Sequence, residues 1–233
     1  MSGSPVALIT GGGSGVGAAT AKRLLAQGHR VAVTGRGKER LADFAASVGN
    51  PAELLTLPGD AADWDAVSAA VATTVDRFGR LDTAVANAGY ATFDDIVTGD
   101  PAGWRDMVLT NVLGPALLIR AALAPLKETK GRIVLIGSVA GVVYSPGNIY
   151  GATKWAVTGM AENTRRAVTD DGVGVTLVNL GATMTNFFDG GGGPPDRAIM
   201  PVERIAEAIV FAIDRPHGVD VNTLTIRPQP SPL

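Results

Sequence analysis

The apolar run Val6-Ala7-Leu8-Ile9 passes directly into Thr10-Gly11-Gly12-Gly13-Ser14-Gly15-Val16-Gly17, and an amphipathic stretch follows at once. This order predicts a buried strand that turns sharply into a helix, with the turn stripped of side chains. Main-chain N–H groups and the positive end of a helix can then approach a pyrophosphate closely. Glycine spacing alone is a weak signal. Its weight comes from lying between a strand and a helix.

The rest of the chain repeats the same alternation. Short Val-, Ile- and Leu-rich runs at Val6–Thr10, Arg30–Thr34, Leu54–Leu57, Thr83–Ala86, Arg132–Gly137, Val173–Leu180 and Thr223–Arg227 predict seven strands. Between them, Gly15–Gln27, Lys38–Val48, Asp63–Phe78, Pro101–Leu126, Tyr150–Thr169 and Val202–Ile213 read as helices, with Gly28 and Gly79 at the expected stops. Strand and helix in turn imply an α/β fold, a Rossmann-like doubly wound parallel sheet covered on both faces. With 233 residues, one such domain over 1–233 is expected. Gly190-Gly191-Gly192-Gly193-Pro194-Pro195 is too poor in apolar side chains to pack and predicts a mobile loop.

Composition narrows the function. Hydrophobic residues are 46% and charged residues 18%, a globular balance, and 20 Lys plus Arg against 22 Asp plus Glu give a net charge of -2. Neither nucleic acid nor an anionic membrane is an expected partner. The absence of cysteine excludes disulfides and a catalytic thiol, and His29 and His217, both beside glycine, read as exposed loop histidines, so no metal is expected. No leader-like segment opens the sequence, which suggests a cytoplasmic protein.

The second informative motif is Tyr150-Gly151-Ala152-Thr153-Lys154. A phenol and an ammonium four residues apart share one face of a helix. At about 4 to 5 Å and an effective dielectric near 20 the cation supplies roughly 3 to 4 kcal/mol, enough to lower a phenol pKa by a couple of units toward working pH. A dinucleotide cradle and an acid/base pair on one chain point to nicotinamide-dependent redox chemistry. The end of the second strand, Val33-Thr34-Gly35-Arg36, carries no carboxylate to bind a ribose 2'-hydroxyl, while Arg36 can grip a 2'-phosphate. NADP is therefore expected over NAD, with NAD still open.

From about Val6 to Arg227 the chain resembles the short-chain dehydrogenase/reductases with a Thr-Gly-x-x-x-Gly-x-Gly cofactor motif. The resemblance implies a seven-stranded sheet and a cofactor site at Thr10, Gly11, Gly13, Ser14, Gly15, Val16, Gly17 and Arg36. It places Asp60 and Ala61 at the adenine, and Asn87, Ala88 and Gly89 along the cofactor. Gly181, Thr183 and Thr185 fall at the nicotinamide carboxamide and phosphate. Asn111, Ser138, Tyr150 and Lys154 match the catalytic set: Tyr150 the proton donor, Ser138 the partner of the substrate oxygen, Lys154 the activator that also binds the ribose, and Asn111 the anchor of a water linking Lys154 to solvent. Homodimers or homotetramers, joined through helices around Pro101–Leu126 and Tyr150–Thr169, are implied as well.

Two departures from the family pattern stand out. Ser138 and Tyr150 are 12 apart, one fewer than in most members, and Leu180-Gly181 replaces the usual Pro-Gly, losing a turn that proline would fix. In place of a small helical lid after Thr185, the sequence suggests an open pocket with Tyr144, Phe187 and Phe188 as apolar walls. The expected activity is hydride transfer between NADP(H) and a carbonyl/alcohol pair. The alternative is a catalytically silent dinucleotide-binding regulator or scaffold. No cation in the sequence clearly faces the substrate, so an apolar carbonyl and a small hydroxy acid both remain open.

Overall fold

The computed structural model describes residues 3–144, 146–193 and 198–230. Seven strands, β1 (Val6–Thr10), β2 (Arg30–Gly35), β3 (Leu54–Pro58), β4 (Thr83–Ala86), β5 (Arg132–Ser138), β6 (Gly174–Leu180) and β7 (Thr223–Ile226), form one parallel sheet in the order β3-β2-β1-β4-β5-β6-β7. The chain reverses its direction of winding between β1 and β4, and there the crevice at the strand ends opens for a ligand.

Period-two alternation explains how the layers bind the sheet. Val6 and Leu8 face one side with Ile133 and Leu135, packed against α3 (Trp64–Phe78), α5 (Gly114–Thr129) and α6 (Ile149–Val168). Ala7 and Ile9 face the other with Val134 and Ile136, against α1 (Gly15–Ala26), α2 (Lys38–Ser47) and α7 (Val202–Ile213). Every residue of β1, β4 and β5 is buried, which is why these strands read as unbroken apolar runs. Helix ends are set locally. Asp63 Oδ1 accepts from Ala66 N at 3.0 Å to start α3, and Gly79 closes that helix at φ 81. Asn148 Oδ1 accepts from Gly151 N at 2.7 Å, fixing the start of α6.

The stretch expected as one helix from Pro101 is broken. α4 (Pro101–Val108) leads through a π-helical turn, Leu109–Leu113, into α5, and Gly114 N donates to Leu109 O. The cause is Pro115, which has no N–H for the Asn111 carbonyl and whose ring crowds that carbonyl in an α-helix. Pro101–Thr129 is long and apolar enough to cross a membrane by length and composition, but Leu118, Ala122 and Leu126 within it are core residues.

His29 corrects the expectation of exposed histidines. It is only 8% exposed, its Nε2 lies 3.9 Å from Asp214 Oδ1, and burial lowers its pKa despite that carboxylate. His217 is exposed.

Candidate functional site

The glycine loop closes on itself and on the start of β4's exit. Gly11 takes φ +65 and Gly15 φ +52, a region that L side chains rarely adopt. A Cβ at Gly17 would lie 2.5 Å from Gly11 O and 2.6 Å from Asn87 Nδ2, so only glycine admits this approach of helix to loop. Asn87 Nδ2 donates to Thr10 O at 2.9 Å and Gly11 O at 3.1 Å, while Thr10 Oγ1 accepts from Asn87 N at 3.1 Å and Ala88 N at 3.2 Å. These bonds tie the β1 and β4 ends into one rigid floor. Ser14, the N-cap of α1, makes no side-chain cap bond, which leaves the first-turn N–H groups facing the loop's concavity for a ligand.

A cleft of about 830 Å³ runs over this floor. It is lined by Gly11, Gly13, Ser14, Gly15 and Val16 from the loop, and by Arg36, Asp60 and Ala61 at one end. Asn87, Ala88 and Gly89 form its middle, and Ser138, Tyr150, Lys154, Gly181, Thr183 and Thr185 the other end. Thr10 and Gly17 sit beneath it as the tie points just described. Asp60 Oδ1 accepts from Ala62 N at 2.9 Å, which orients its carboxylate. Arg40, in the first turn of α2, borders the same end as the loop residue Arg36 and was not among the expected site residues.

Four side chains converge at the far end. Ser138 closes β5; its Oγ accepts from Ala140 N at 3.1 Å and donates to Leu180 O at 3.5 Å, and it lines the same end of the cleft as Tyr150. Lys154 is buried, donates from Nζ to Ile136 O at 2.9 Å, and lies 5.7 Å from the Tyr150 ring centroid. Asn111, in the π turn, donates to Tyr90 O at 2.8 Å and Thr153 Oγ1 at 3.1 Å, and accepts from Tyr90 N at 3.0 Å. Thr153 and the Tyr90 backbone were not anticipated. A Cβ at Gly89 would stand 3.0 Å from Asn111 Oδ1 and 3.6 Å from Lys154 Nζ, so this glycine keeps the space between the two groups open.

The expected lowering of the Tyr150 pKa is not what the folded chain shows. Burial pushes the phenol up to about 12, offset in part by Ser138, and pushes Lys154 down to about 8. Desolvation of each charged form outweighs the attraction estimated from spacing alone.

The segment after Thr185 also differs from expectation. Asn186–Gly191 forms a 3-10 turn, started by Thr185 Oγ1 accepting from Phe187 N at 3.1 Å, so Gly190 and Gly191 belong to a helical turn. Pro194 and Pro195 lie outside the described residues. Phe187 packs edge-on against Tyr150 at 5.5 Å and against Phe93 at 5.3 Å, and Phe188 meets both Phe93 and Phe187. Phe93 holds φ 59, a strained position for an aromatic residue, at the rim of the pocket. Tyr144 is not a wall: it is 91% exposed and stacks on Trp155 at 5.4 Å outside the cleft. Leu180 costs the turn little, because Gly181 N donates to Ile226 O at 2.7 Å and Met200 N to Ala182 O at 2.9 Å. Arg227, just past β7, borders the cleft beside Gly181 and corrects the expectation that no cation faces the pocket.

The chain matches the family model described as short chain dehydrogenase over residues 5–190. It is 31% identical to an uncharacterized oxidoreductase of Staphylococcus epidermidis, across 96% of each chain. Its fold superposes on an alcohol dehydrogenase from the archaeon Thermococcus sibiricus complexed with 5-hydroxy-NADP, with a TM-score of 0.89, 26% identity and 98% of both chains covered. A serine dehydrogenase complexed with NADP+ is similar at a TM-score of 0.88 and 30% identity, over 95% of this chain and 94% of that one. With the sheet order, the glycine cradle and the Ser138, Tyr150 and Lys154 cluster already in place, these likenesses establish that the chain belongs to the short-chain dehydrogenase/reductase family of oxidoreductases.

Proposed function

We propose that the chain interconverts a carbonyl and an alcohol at the expense of NADP(H), with Tyr150 moving the proton. The observation that carries this is the meeting of Ser138, at the carboxyl end of β5, with Tyr150 and the Lys154 ammonium beside its ring, in one cleft with the glycine loop.

The cleft fits a dinucleotide. Gly11, Gly13 and Gly15 line a concavity bare of side chains, Gly17 lets α1 approach it from beneath, and it opens on the uncapped start of α1. Thr10, Gly11, Gly13, Ser14, Gly15, Val16 and Gly17 would hold the diphosphate side, and Asp60 and Ala61 the adenine. Asn87, Ala88 and Gly89 would lie along it, with Gly181, Thr183, Thr185 and Lys154 at the nicotinamide end. Bound there, the dinucleotide supplies or accepts the two electrons of the reaction. Ser138 holds the substrate oxygen, and Tyr150 Oη gives up its proton as charge builds on that oxygen. Lys154 stabilises the resulting phenolate. Asn111 fixes the Tyr90 loop over the pocket, and its carbonyl, freed by Pro115, anchors a water that leads protons to Lys154.

Arg36 and Arg40, both exposed at the β2 end of the cleft, support selection of the 2'-phosphate, and the two solved relatives above carry NADP-type ligands. The same reading includes a cytoplasmic homodimer or homotetramer: Val108 and Leu113 beside the π turn and Trp155 on α6 expose apolar area that a second copy would cover. The deciding experiment is oxidation of NADPH by the purified chain against a carbonyl panel, with Tyr150→Phe alongside. Tight dinucleotide binding without turnover of any member would favour the silent binder instead.

A further inference from the structure

The site just proposed leaves one cation unused. Ser138, Leu180 and Ile226 stand in a single row across the sheet, paired from β5 to β6 to β7. Two strand spacings separate the ends of this row, roughly 10 Å. Arg227 is the next residue after the row. It lines the same cleft as Ser138 and Tyr150, is exposed, and makes no hydrogen bond or ion pair among the described residues. Gly181 borders the cleft beside it, and a Cβ there would lie 2.9 Å from Pro228 Cδ and 3.0 Å from Arg227 Cα. Glycine at this position is what lets the chain at Arg227 lie so close to the rim of the pocket. Among the described lining residues the only carboxylate is Asp60, at the opposite end.

We propose that Arg227 binds the carboxylate of the substrate, so that the preferred substrates are short oxo acids and the hydroxy acids they form. The proposal rests on the oxidoreductase reading above and adds the substrate class. Arg227 and Ser138 thus border the same cleft about two strand spacings, roughly 10 Å, apart. A carbonyl at Ser138 and Tyr150 and a carboxylate on Arg227 then belong to one molecule of a few carbons. Phe93, Phe187 and Phe188 close the apolar side of the pocket against longer or charged substituents. The guanidinium is suited to two parallel hydrogen bonds with a carboxylate, which a lysine cannot reproduce.

The test compares oxo acids of three to six carbons with their methyl esters, which keep the reacting carbonyl and lose the charge. With NADPH, the wild type is expected to prefer an acid over its ester by about 10- to 100-fold in kcat/KM, a charge-assisted contact's worth. Arg227→Ala should remove most of that preference through KM, Arg227→Lys should restore part of it, and NADPH affinity should stay within twofold. An acid-to-ester ratio near one in the wild type, an equal loss on both substrates in Arg227→Ala, or a fall in NADPH affinity would each overturn the assignment. Turnover of esters without preference for acids refutes the substrate class and leaves the oxidoreductase reading intact. No turnover of either class refutes the substrate class alone if another member of the carbonyl panel is reduced, and refutes both readings if none is.

Discussion

Gly17→Ala tests whether the glycine cradle is as tight as its geometry requires. In the first turn of α1 an alanine gains up to about 1 kcal/mol of helix propensity over glycine. Against this, the new methyl would sit 2.5 Å from Gly11 O and 2.6 Å from Asn87 Nδ2, well inside contact distance. Neither neighbour is a flexible side-chain end: one is backbone, the other an amide held by bonds of 2.9 and 3.1 Å to Thr10 O and Gly11 O. Relieving the clash breaks at least one of those bonds, at about 1 kcal/mol, and adds overpacking of about 1 to 3 kcal/mol. The net expectation is a loss of about 1 to 3 kcal/mol, or roughly 3 to 10 °C in Tm for a chain of this size. Because Gly11 and Asn87 also shape the floor of the cleft, dinucleotide affinity should fall at the same time. Gly159→Ala in α6 is the matched control. Within one copy of the chain no atom of another element lies within 4 Å of its Cβ position, so it should stabilise the monomer by about 0.5 to 1 kcal/mol, and a loss instead would mark this face of α6, one turn after Trp155, as covered by the second copy proposed above. Thermal melts and dinucleotide titration of both variants decide the matter. A Gly17→Ala protein with wild-type Tm and affinity would refute the close-packed account of the loop.

Tyr150→Phe is expected to keep dinucleotide binding within a few-fold and to abolish turnover, read by fluorescence titration and NADPH oxidation; wild-type rates would remove Tyr150 from proton transfer. Arg36→Ala and Arg40→Ala should each weaken NADP binding by about 10- to 100-fold with little effect on NAD, and equal loss for both dinucleotides would refute 2'-phosphate recognition. Lys154 makes stability depend on pH: its folded pKa of about 8 lies below the ordinary 10.5, so between these values the unfolded chain binds more protons and stability rises with pH. The full depression corresponds to about 3 kcal/mol, present as a penalty below pH 8 and gone above 10.5. Melts from pH 7 to 10.5 should show that rise in wild type and a flatter curve in Lys154→Met, and parallel curves would contradict the buried ammonium.

All seven strands were legible in the sequence because each is a short apolar run bounded by glycine or polar residues, the pattern of a sheet buried on both faces. The helices were legible to within a few residues for the same reason, except where a local rule acted inside an apolar stretch. Pro115 is such a case. Hydrophobic periodicity continues through it, and only the missing N–H converts the turn at Asn111 to π geometry. The candidate site divides in the same way. Gly11, Tyr150 and Lys154 were legible as a glycine-rich strand end and a pair on one helix face, while Asn87 and Ser138 were implied by the family resemblance, and the structure brings all five to one cleft or its floor. Arg227 was passed over because its relation to Ser138 depends on two strand pairings, a distance across the sheet that sequence separation hides. Tyr144 was misplaced for the converse reason, since proximity in sequence to Tyr150 does not decide which side of α6 a loop residue takes. His29 was misread because glycine neighbours indicate a turn and say nothing of what packs over it.

The acid/base pair shows where a pairwise estimate from sequence fails and why the arrangement still serves the proposed chemistry. Spacing gave an attraction between ammonium and phenolate, and the attraction is real only once a phenolate exists. Before reaction Tyr150 is a neutral phenol with its pKa pushed up to about 12, so Lys154 bears the cost of burial with no anion to offset it, and its own pKa falls to about 8. In the proposed transfer, as the Tyr150 proton leaves for the substrate oxygen, negative charge would appear beside that ammonium in the same low-dielectric pocket, where the interaction is far stronger than in water. The stabilisation therefore arises in the transition state and is absent from the ground state, which is the condition for an interaction to raise kcat instead of merely lowering KM. Ser138 strengthens the same asymmetry, because its hydroxyl stabilises the phenolate more than the phenol. A lysine left in water would keep its ordinary pKa and lose most of this difference, so the burial that destabilises the folded chain below pH 8 is the property on which the proposed proton transfer depends.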